Sequence, residues 1–313
     1  MANKEKNFIS AVVYIHNAEE RTAHFLETII TILEENFEHS EIICVNDFSS
    51  DASVEQVRLA SATAKSTNIS VLNMSYFHGL EMAMNAGVDL SIGDFVYEFD
   101  STKMDYDADE IMRVYRKSLE GYDIVSASPD KRERITSRFF YKVFEHFTDS
   151  AYKMNTERFR ILSRRVINRI SSMNKTIPYR KAIYMNCGLK TATLKYQCKD
   201  ADKKNISDKK ERKYRIKLAE DSLILFTEVG YRFASSMTLF MMFAAVFMMV
   251  YSLVIYLNSN PVPGWTTTIL FLSLGFFGLF GILTIIVKYL QLLVDLEFRR
   301  KRYTFESIEK LTK

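Results

Sequence analysis

An α/β domain with a mostly parallel sheet, followed by a two-helix transmembrane hairpin, is what this chain of 313 residues predicts. Two patterns carry the prediction. Short apolar runs alternate with helical stretches over residues 8–119, and that alternation builds a sheet covered on both faces. Two uncharged apolar stretches then stand near the C-terminal end: Phe233–Leu257, of 25 residues, and Trp265–Val287, of 23. About 20 apolar residues in a helix span the hydrocarbon core of a bilayer, so each stretch is long enough.

Taken in order, Phe8–Ile15 is an apolar run suited to a buried strand. Glu20–Asn36 places Phe25, Ile29, Ile32 and Leu33 at helical spacing. Glu41–Val45 is a second strand and runs into Asn46-Asp47-Phe48-Ser49-Ser50-Asp51. Ser53–Lys65 is helical, Ile69–Met74 a third strand, Leu80–Leu90 a helix, Asp94–Phe99 a fourth strand and Asp109–Leu119 a further helix. In open sheets of this kind ligands bind beyond the carboxyl ends of the strands. Three of those ends carry polar clusters: His16-Asn17, Asn46-Asp47 with Asp51, and Asp100-Ser101-Thr102. Each alone is also explained by turns and helix caps, which favour Asn, Asp and Ser. Their convergence is the functional signal.

The flanks of the hairpin orient it. Lys199–Lys217 holds nine Lys/Arg against four Asp/Glu, and Arg299, Arg300, Lys301 and Arg302 follow the second span. Cytoplasmic flanks carry such an excess. Both termini are therefore expected in the cytoplasm, with the neutral loop Asn258–Gly264 outside, in a plasma (inner) membrane protein. The expected organisation is an α/β domain over 1–195, a basic juxtamembrane segment over 196–232, spans over 233–257 and 265–287, and a cytoplasmic tail over 288–313. The basic segment is suited to lie on lipid headgroups. Gly275, Gly278 and Gly281 place small residues near one face of the second span, where helices can approach closely.

Composition fits a cytoplasmic soluble part. Cys44, Cys187 and Cys198 have no metal-type or paired spacing, so free thiols are expected. The net charge is a modest +4, with basic residues concentrated near the spans and over Lys131–Arg138. That distribution favours lipid headgroups or phosphates. Nucleic acid is not expected as a partner, because no basic stretch with interleaved aromatics stands outside the membrane flanks. Neither span has an ionisable residue before Lys288, which argues against a channel or transporter.

Several stretches together resemble the family 2 glycosyltransferases of the polyprenyl-phosphate type, such as dolichyl-phosphate mannose synthase and the bacterial undecaprenyl-phosphate glucosyltransferases. They are His16-Asn17-Ala18-Glu19, Val45 to Asp51, Ser75 to Glu81 followed by Ala86-Gly87, Gly93-Asp94, Asp100, and Phe159 to Val166. Leu218-Ala219 with Asp221, Tyr289-Leu290 and Glu297 to Tyr303 extend the match through the juxtamembrane segment and tail. The resemblance implies a GT-A fold that moves a sugar, with inversion, from a nucleotide-sugar to a polyprenyl phosphate. It also allows a homo-oligomer, a tetramer.

The same resemblance distributes the site residues. Asn17, Asp47, Asp51, Gly79 and Glu81 would line the donor nucleotide pocket, with Asp47 on the base or ribose. Asp100 would be the ligand of a Mg2+ or Mn2+ ion bridging the diphosphate. Asp105 and Glu157 are the neighbouring carboxylates that could stand in for the family's missing acidic residues and complete the catalytic set, Asp105 being equally suited to a turn, and Arg132, Arg134, Arg138 and Arg160 would hold the acceptor phosphate. An ionised phosphate acceptor needs little general-base help, so positioning and charge neutralisation dominate.

This chain also departs from the family. Thr102 and Met104 stand where further metal ligands are expected, and a thioether does not suit a hard cation. Arg158 stands in place of an acidic residue, Asn46 in place of an aspartate and Phe48 in place of a glycine. Two explanations follow: an active transferase with a rearranged site, or a catalytically degenerate homologue that serves as a non-enzymatic partner in a membrane glycan-assembly complex.

Overall fold

The computed structural model describes residues 4–130, 156–172, 180–199 and 305–312, with isolated helical positions between 217 and 293. The chain divides into two compact units. One holds residues 1–145, 149–219 and 301–313, and the other holds 146–148 and 220–300.

The first unit is an eight-stranded sheet with helices on both faces. In chain order it comprises β1 (Ile9–Ile15), α1 (Glu19–Asn36), β2 (Ser40–Asn46), α2 (Ser53–Ser61), β3 (Asn68–Met74), α3 (Leu80–Leu90) and β4 (Phe95–Phe99). It continues through α4 (Asp109–Leu119), β5 (Ile124–Pro129), β6 (Phe159–Ser163), α5 (Arg164–Ser172), α6 (Arg180–Asn186), β7 (Thr191–Tyr196) and β8 (Phe305–Lys310). The strand order is β7-β5-β6-β4-β1-β2-β3-β8. β1, β2, β3 and β4 run parallel, as do β5 and β7, while β6 and β8 pair antiparallel with their neighbours.

The predicted mostly parallel sheet is present, and its central strand explains itself. All seven residues of β1 are buried, because both of its faces are covered. Ile9, Ala11, Val13 and Ile15 join α1, α2 and α4 in the main apolar core. Val12 faces the other way, under α3. There the absent side chain of Gly87 lets the helix sit on the sheet: a Cβ would stand 2.4 Å from Val12 Cγ1 and 2.6 Å from Val45 Cγ2.

Helix α2 is shorter than its predicted extent to Lys65. The carboxylate of Glu34, on α1, accepts the backbone N–H groups of Lys65, Ser66 and Thr67 at 2.6, 2.8 and 3.1 Å. Those donors are thereby drawn out of helical register and into the turn before β3. Burial raises the Glu34 pKa, these three bonds outweigh it, and the net shift is downward.

The strand β8 is not anticipated by the sequence reading, which ends in a tail. It pairs antiparallel with β3, with Leu72 opposite Ile308, and closes that edge of the sheet. The two predicted spans fall largely outside the described residues. Among the described residues no helix is long and apolar enough to cross a membrane. The isolated positions of the second unit are helical, and Phe240, Phe243 and Phe247, together with Leu279, Leu283, Ile286 and Leu290, are all exposed.

Candidate functional site

The chain leaves β1 toward β2 on one side and later returns as β4 on the other, which places a topological switch point between β1 and β4. Asn17 follows β1 and Asp100 follows β4 at that end of the sheet.

The loops after β1 and β2 are stitched together. Asn17 Oδ1 accepts the Ser50 N–H at 2.9 Å, and the Asn17 N–H reaches Ser49 Oγ at 3.2 Å. Asp51 accepts the Ser53 N–H and hydroxyl and the Glu19 N–H, while Glu19 accepts the Ala52 N–H. Asp51 thus satisfies the first backbone N–H of both α1 and α2. Burial raises its pKa and these hydrogen bonds bring it below the usual value. Asn17 and Phe48 both have left-handed backbone, with φ of 45° and 55°. Strained conformations of this kind gather at functional sites.

Asp47, expected on the base or ribose, has no exposed surface. It accepts hydrogen bonds from the Tyr14 hydroxyl at 3.0 Å and from the His78 and Gly79 N–H groups at 2.8 Å each. Its carboxylate therefore shapes the loop between β3 and α3, in which Gly79 has φ 83°. Tyr76 stacks on His78 in that loop, with ring centroids 3.9 Å apart, and Phe77 packs against His16.

Beside Asp100 lies a ring of buried charge. Arg160 Nη1 contacts Glu98 Oε2 at 2.9 Å, and its Nη2 contacts Asp100 Oδ2 at 2.8 Å. Arg180 Nη1 contacts Glu98 Oε1 at 2.7 Å, and its Nη2 contacts Asp100 Oδ1 at 2.8 Å. Two carboxylates and two guanidinium groups thus alternate in a closed circuit. Glu157 flanks Arg160 at 3.2 Å, Glu81 flanks Arg180 at 2.9 Å, and the Tyr184 hydroxyl donates to Glu98. Bare charges in so dry a place would be very costly, so each needs its partners. Burial lowers the pKa of both arginines, and their carboxylate partners raise it further than burial lowers it. Burial raises the Asp100 pKa, the charges of Arg160, Arg180 and Lys181 outweigh it, and the result is about 2. The Asp100 side chain is 15% exposed, against 0–1% for Glu98, Arg160 and Arg180, so the ring opens at Asp100.

The structure brings Asp100, Glu81, Glu157 and Arg160 into one network. It gives Arg160 an interior position in β6 with its guanidinium committed to carboxylates, where a phosphate was the expected partner. Arg132, Arg134 and Arg138 lie outside the described residues. Asp105 is buried and held elsewhere: its Oδ2 takes Arg158 Nε at 2.9 Å and Nη2 at 2.8 Å, and its Oδ1 takes the Tyr196 hydroxyl at 2.9 Å.

These positions do not suit a resident divalent cation. Both oxygens of Asp100 face guanidinium groups, and Met104, a thioether, packs against the core where a hard cation needs an oxygen ligand. Among the described residues no group of three His, Cys, Asp or Glu side chains is arranged to hold a metal.

Glu98, Arg180 and Tyr184 are the ring members that sequence reasoning did not place in the site, while Arg158, noted in the sequence only as a departure from an acidic residue, is the partner of Asp105. One signal was available: Glu98 is a charge in the middle of the apolar strand Phe95–Phe99.

The sequence model described as Glycosyl transferase family 2 matches residues 10–174. An uncharacterized glycosyltransferase of Synechocystis sp. is 30% identical over 56% of this chain and 56% of its own length. An uncharacterized glycosyltransferase of Bacillus subtilis is 25% identical over 91% of this chain and 89% of its own. A prophage bactoprenol glucosyl transferase homolog of Escherichia coli is 30% identical over 60% of this chain and 62% of its own. The chain therefore spans less than two thirds of the first and third of these relatives.

Proposed function

Because the chain belongs to glycosyl transferase family 2, we propose that it moves a sugar from a nucleotide-sugar to a polyprenyl phosphate, anchored in the plasma (inner) membrane with its α/β domain in the cytoplasm. The observation that carries the reading is Asp100, a carboxylate held by two guanidinium groups at the open end of β4 beside the switch point. The bactoprenol glucosyl transferase homolog among its relatives supports the acceptor class.

In this reading a phosphate oxygen of the acceptor bonds to the anomeric carbon. The bond from that carbon to the nucleoside diphosphate breaks, the diphosphate takes the electron pair, and the configuration inverts. With a pKa of about 2, Asp100 is too weak a base to remove a proton from the acceptor at neutral pH. It is suited instead to accept hydrogen bonds from donor hydroxyls, and the ring behind it fixes where its oxygens point. Asn17, Asp47, Asp51 and Gly79 shape the donor side by holding the three loops beyond β1, β2 and β3.

The anchor is supported by the uncharged stretches 233–257 and 265–287 and by the exposed apolar side chains on the second unit. A chain that leaves the α/β unit and returns to its sheet as β8 crosses a bilayer an even number of times, which suits a hairpin. Glycines 275, 278 and 281 suit close helix packing in the hairpin or between copies.

The test is transfer by the detergent-purified full-length protein from UDP- and GDP-sugars to a short polyprenyl phosphate, read by mass spectrometry of the lipid. Product formation that Asp100→Asn lowers at least about a hundredfold is expected if orientation by this carboxylate matters. A well-folded sample that neither binds a nucleotide nor forms product would leave the non-enzymatic partner as the better account.

A further inference from the structure

The charges at the end of the sheet divide into those that are spent and those that remain available. Arg160 and Arg180 are buried to within 1% and each is surrounded by carboxylates, so neither faces a ligand. Arg158 differs in both respects. It lies one residue before β6, whose antiparallel ladder sets Phe159 opposite Phe99, so the next step outward sets Arg158 level with Asp100. Its N–H donates to the Ala127 carbonyl at 2.9 Å, which fixes its backbone to β5. Its side chain is 32% exposed, while the Asp105 carboxylate beneath it is 3% exposed. Nε and Nη2 of Arg158 both rest on Asp105 Oδ2, and the Tyr196 hydroxyl occupies the other oxygen. The guanidinium is thus gripped along one edge by a buried, fully engaged carboxylate, with the Tyr196 hydroxyl beside it, on a side chain that is partly exposed.

We propose that Arg158 faces the diphosphate of the nucleotide donor and neutralises it in place of a divalent cation, with Asp105 and Tyr196 as the groups that position it. The inference rests on the transferase reading above. A guanidinium offers paired, charge-assisted hydrogen bonds to phosphate oxygens. A preorganised positive charge at this point stabilises the departing diphosphate as negative charge gathers on it. Among the described residues, both oxygens of Asp100 are taken by guanidinium groups and no group of three His, Cys, Asp or Glu side chains is arranged to hold a cation.

The experiment is calorimetric titration of UDP and GDP into the full-length protein in detergent, once with EDTA and once with Mn2+. Arg158→Gln and Arg158→Lys are compared with wild type, and each variant's unfolding midpoint is recorded. We expect one nucleotide to bind wild type equally in EDTA and in Mn2+. We expect Arg158→Gln to weaken that binding at least about tenfold, the size of a lost charge-assisted contact, and Arg158→Lys to fall between the two. Binding that requires Mn2+ overturns the inference while leaving the transferase reading intact. Wild-type affinity in a folded Arg158→Gln overturns it as well. If Arg158→Gln does not fold, the EDTA comparison on wild type and the Arg158→Lys affinity decide. Failure of both nucleotides to bind under either condition removes the transferase reading and this inference with it.

Discussion

At the scale of single residues, the site is built from carboxylates whose neighbours decide their roles. Asp47 serves three donors at once, and removing one of them tests that role. Tyr14→Phe leaves Asp47 buried with one partner fewer, and a loss of about 1–2 kcal/mol is expected in thermal unfolding. Asp100 makes a pH prediction. Its pKa falls on folding from 3.8 to about 2, so its stabilisation is complete above about pH 4 and disappears as the pH drops toward 2. That is on the order of 2 kcal/mol, and the unfolding midpoint of wild type should fall more steeply across that interval than that of Asp100→Asn. A flat wild-type profile would contradict the paired state of Asp100. The sequence made the polar strand ends legible, Asn17, Asp47, Asp51 and Asp100 among them. It did not distinguish a carboxylate that meets a ligand from one satisfied by backbone N–H groups. That distinction is tertiary: Arg180 reaches Asp100 across 80 residues, and no local pattern records the encounter.

At the scale of elements, everything up to Leu119 is readable from apolar period, and most of the rest is not. β1 to β4 are buried runs, and α4 has a clear apolar stripe of Ile111, Met112, Val114 and Tyr115. β7 has intermediate burial at four of its six positions, so no alternation announces it. β6 holds a buried arginine where an apolar residue is expected, and the charge ring explains it. Two changes test the packing. Gly87→Ala forces a methyl group against Val12 and Val45, and a loss of about 1–3 kcal/mol is expected. Glu98→Gln strips one of the two carboxylates that bridge both arginines, and a loss of about 3–5 kcal/mol is expected, as for other broken buried pairs. A change below about 1 kcal/mol in either protein would show that α3 or the ring yields more easily than close packing allows.

At the scale of the whole molecule, the return of the chain as β8 makes the proposed topology testable. In intact cells, a cysteine introduced at Asn260 should react with a membrane-impermeant maleimide. Cysteines at the exposed positions Lys4 and Lys310 should react only after lysis. Labelling of Lys310Cys without lysis would rule out the hairpin. Deleting residues 305–313 should lower the unfolding midpoint and broaden the gel-filtration profile. It uncovers the edge of β3, and open edges recruit further strands. It also removes the ion pair between Arg58 and Glu309 and the hydrogen bond from the Ile69 N–H to Thr312 Oγ1.

The closure of the sheet also sets a timetable. Asn73 and its partner Ser307 are 234 residues apart, a distance that takes a ribosome roughly ten seconds to a minute to cover. For that interval β3 waits with one side unpaired, while the segment between it and β8 is being made. If that segment is threaded through the bilayer as proposed, a chain with only one crossing strands residues 305–310 on the wrong side, and its sheet stays open. Such a chain keeps the β3 edge exposed, so completion of this sheet and the proposed pair of crossings stand or fall together.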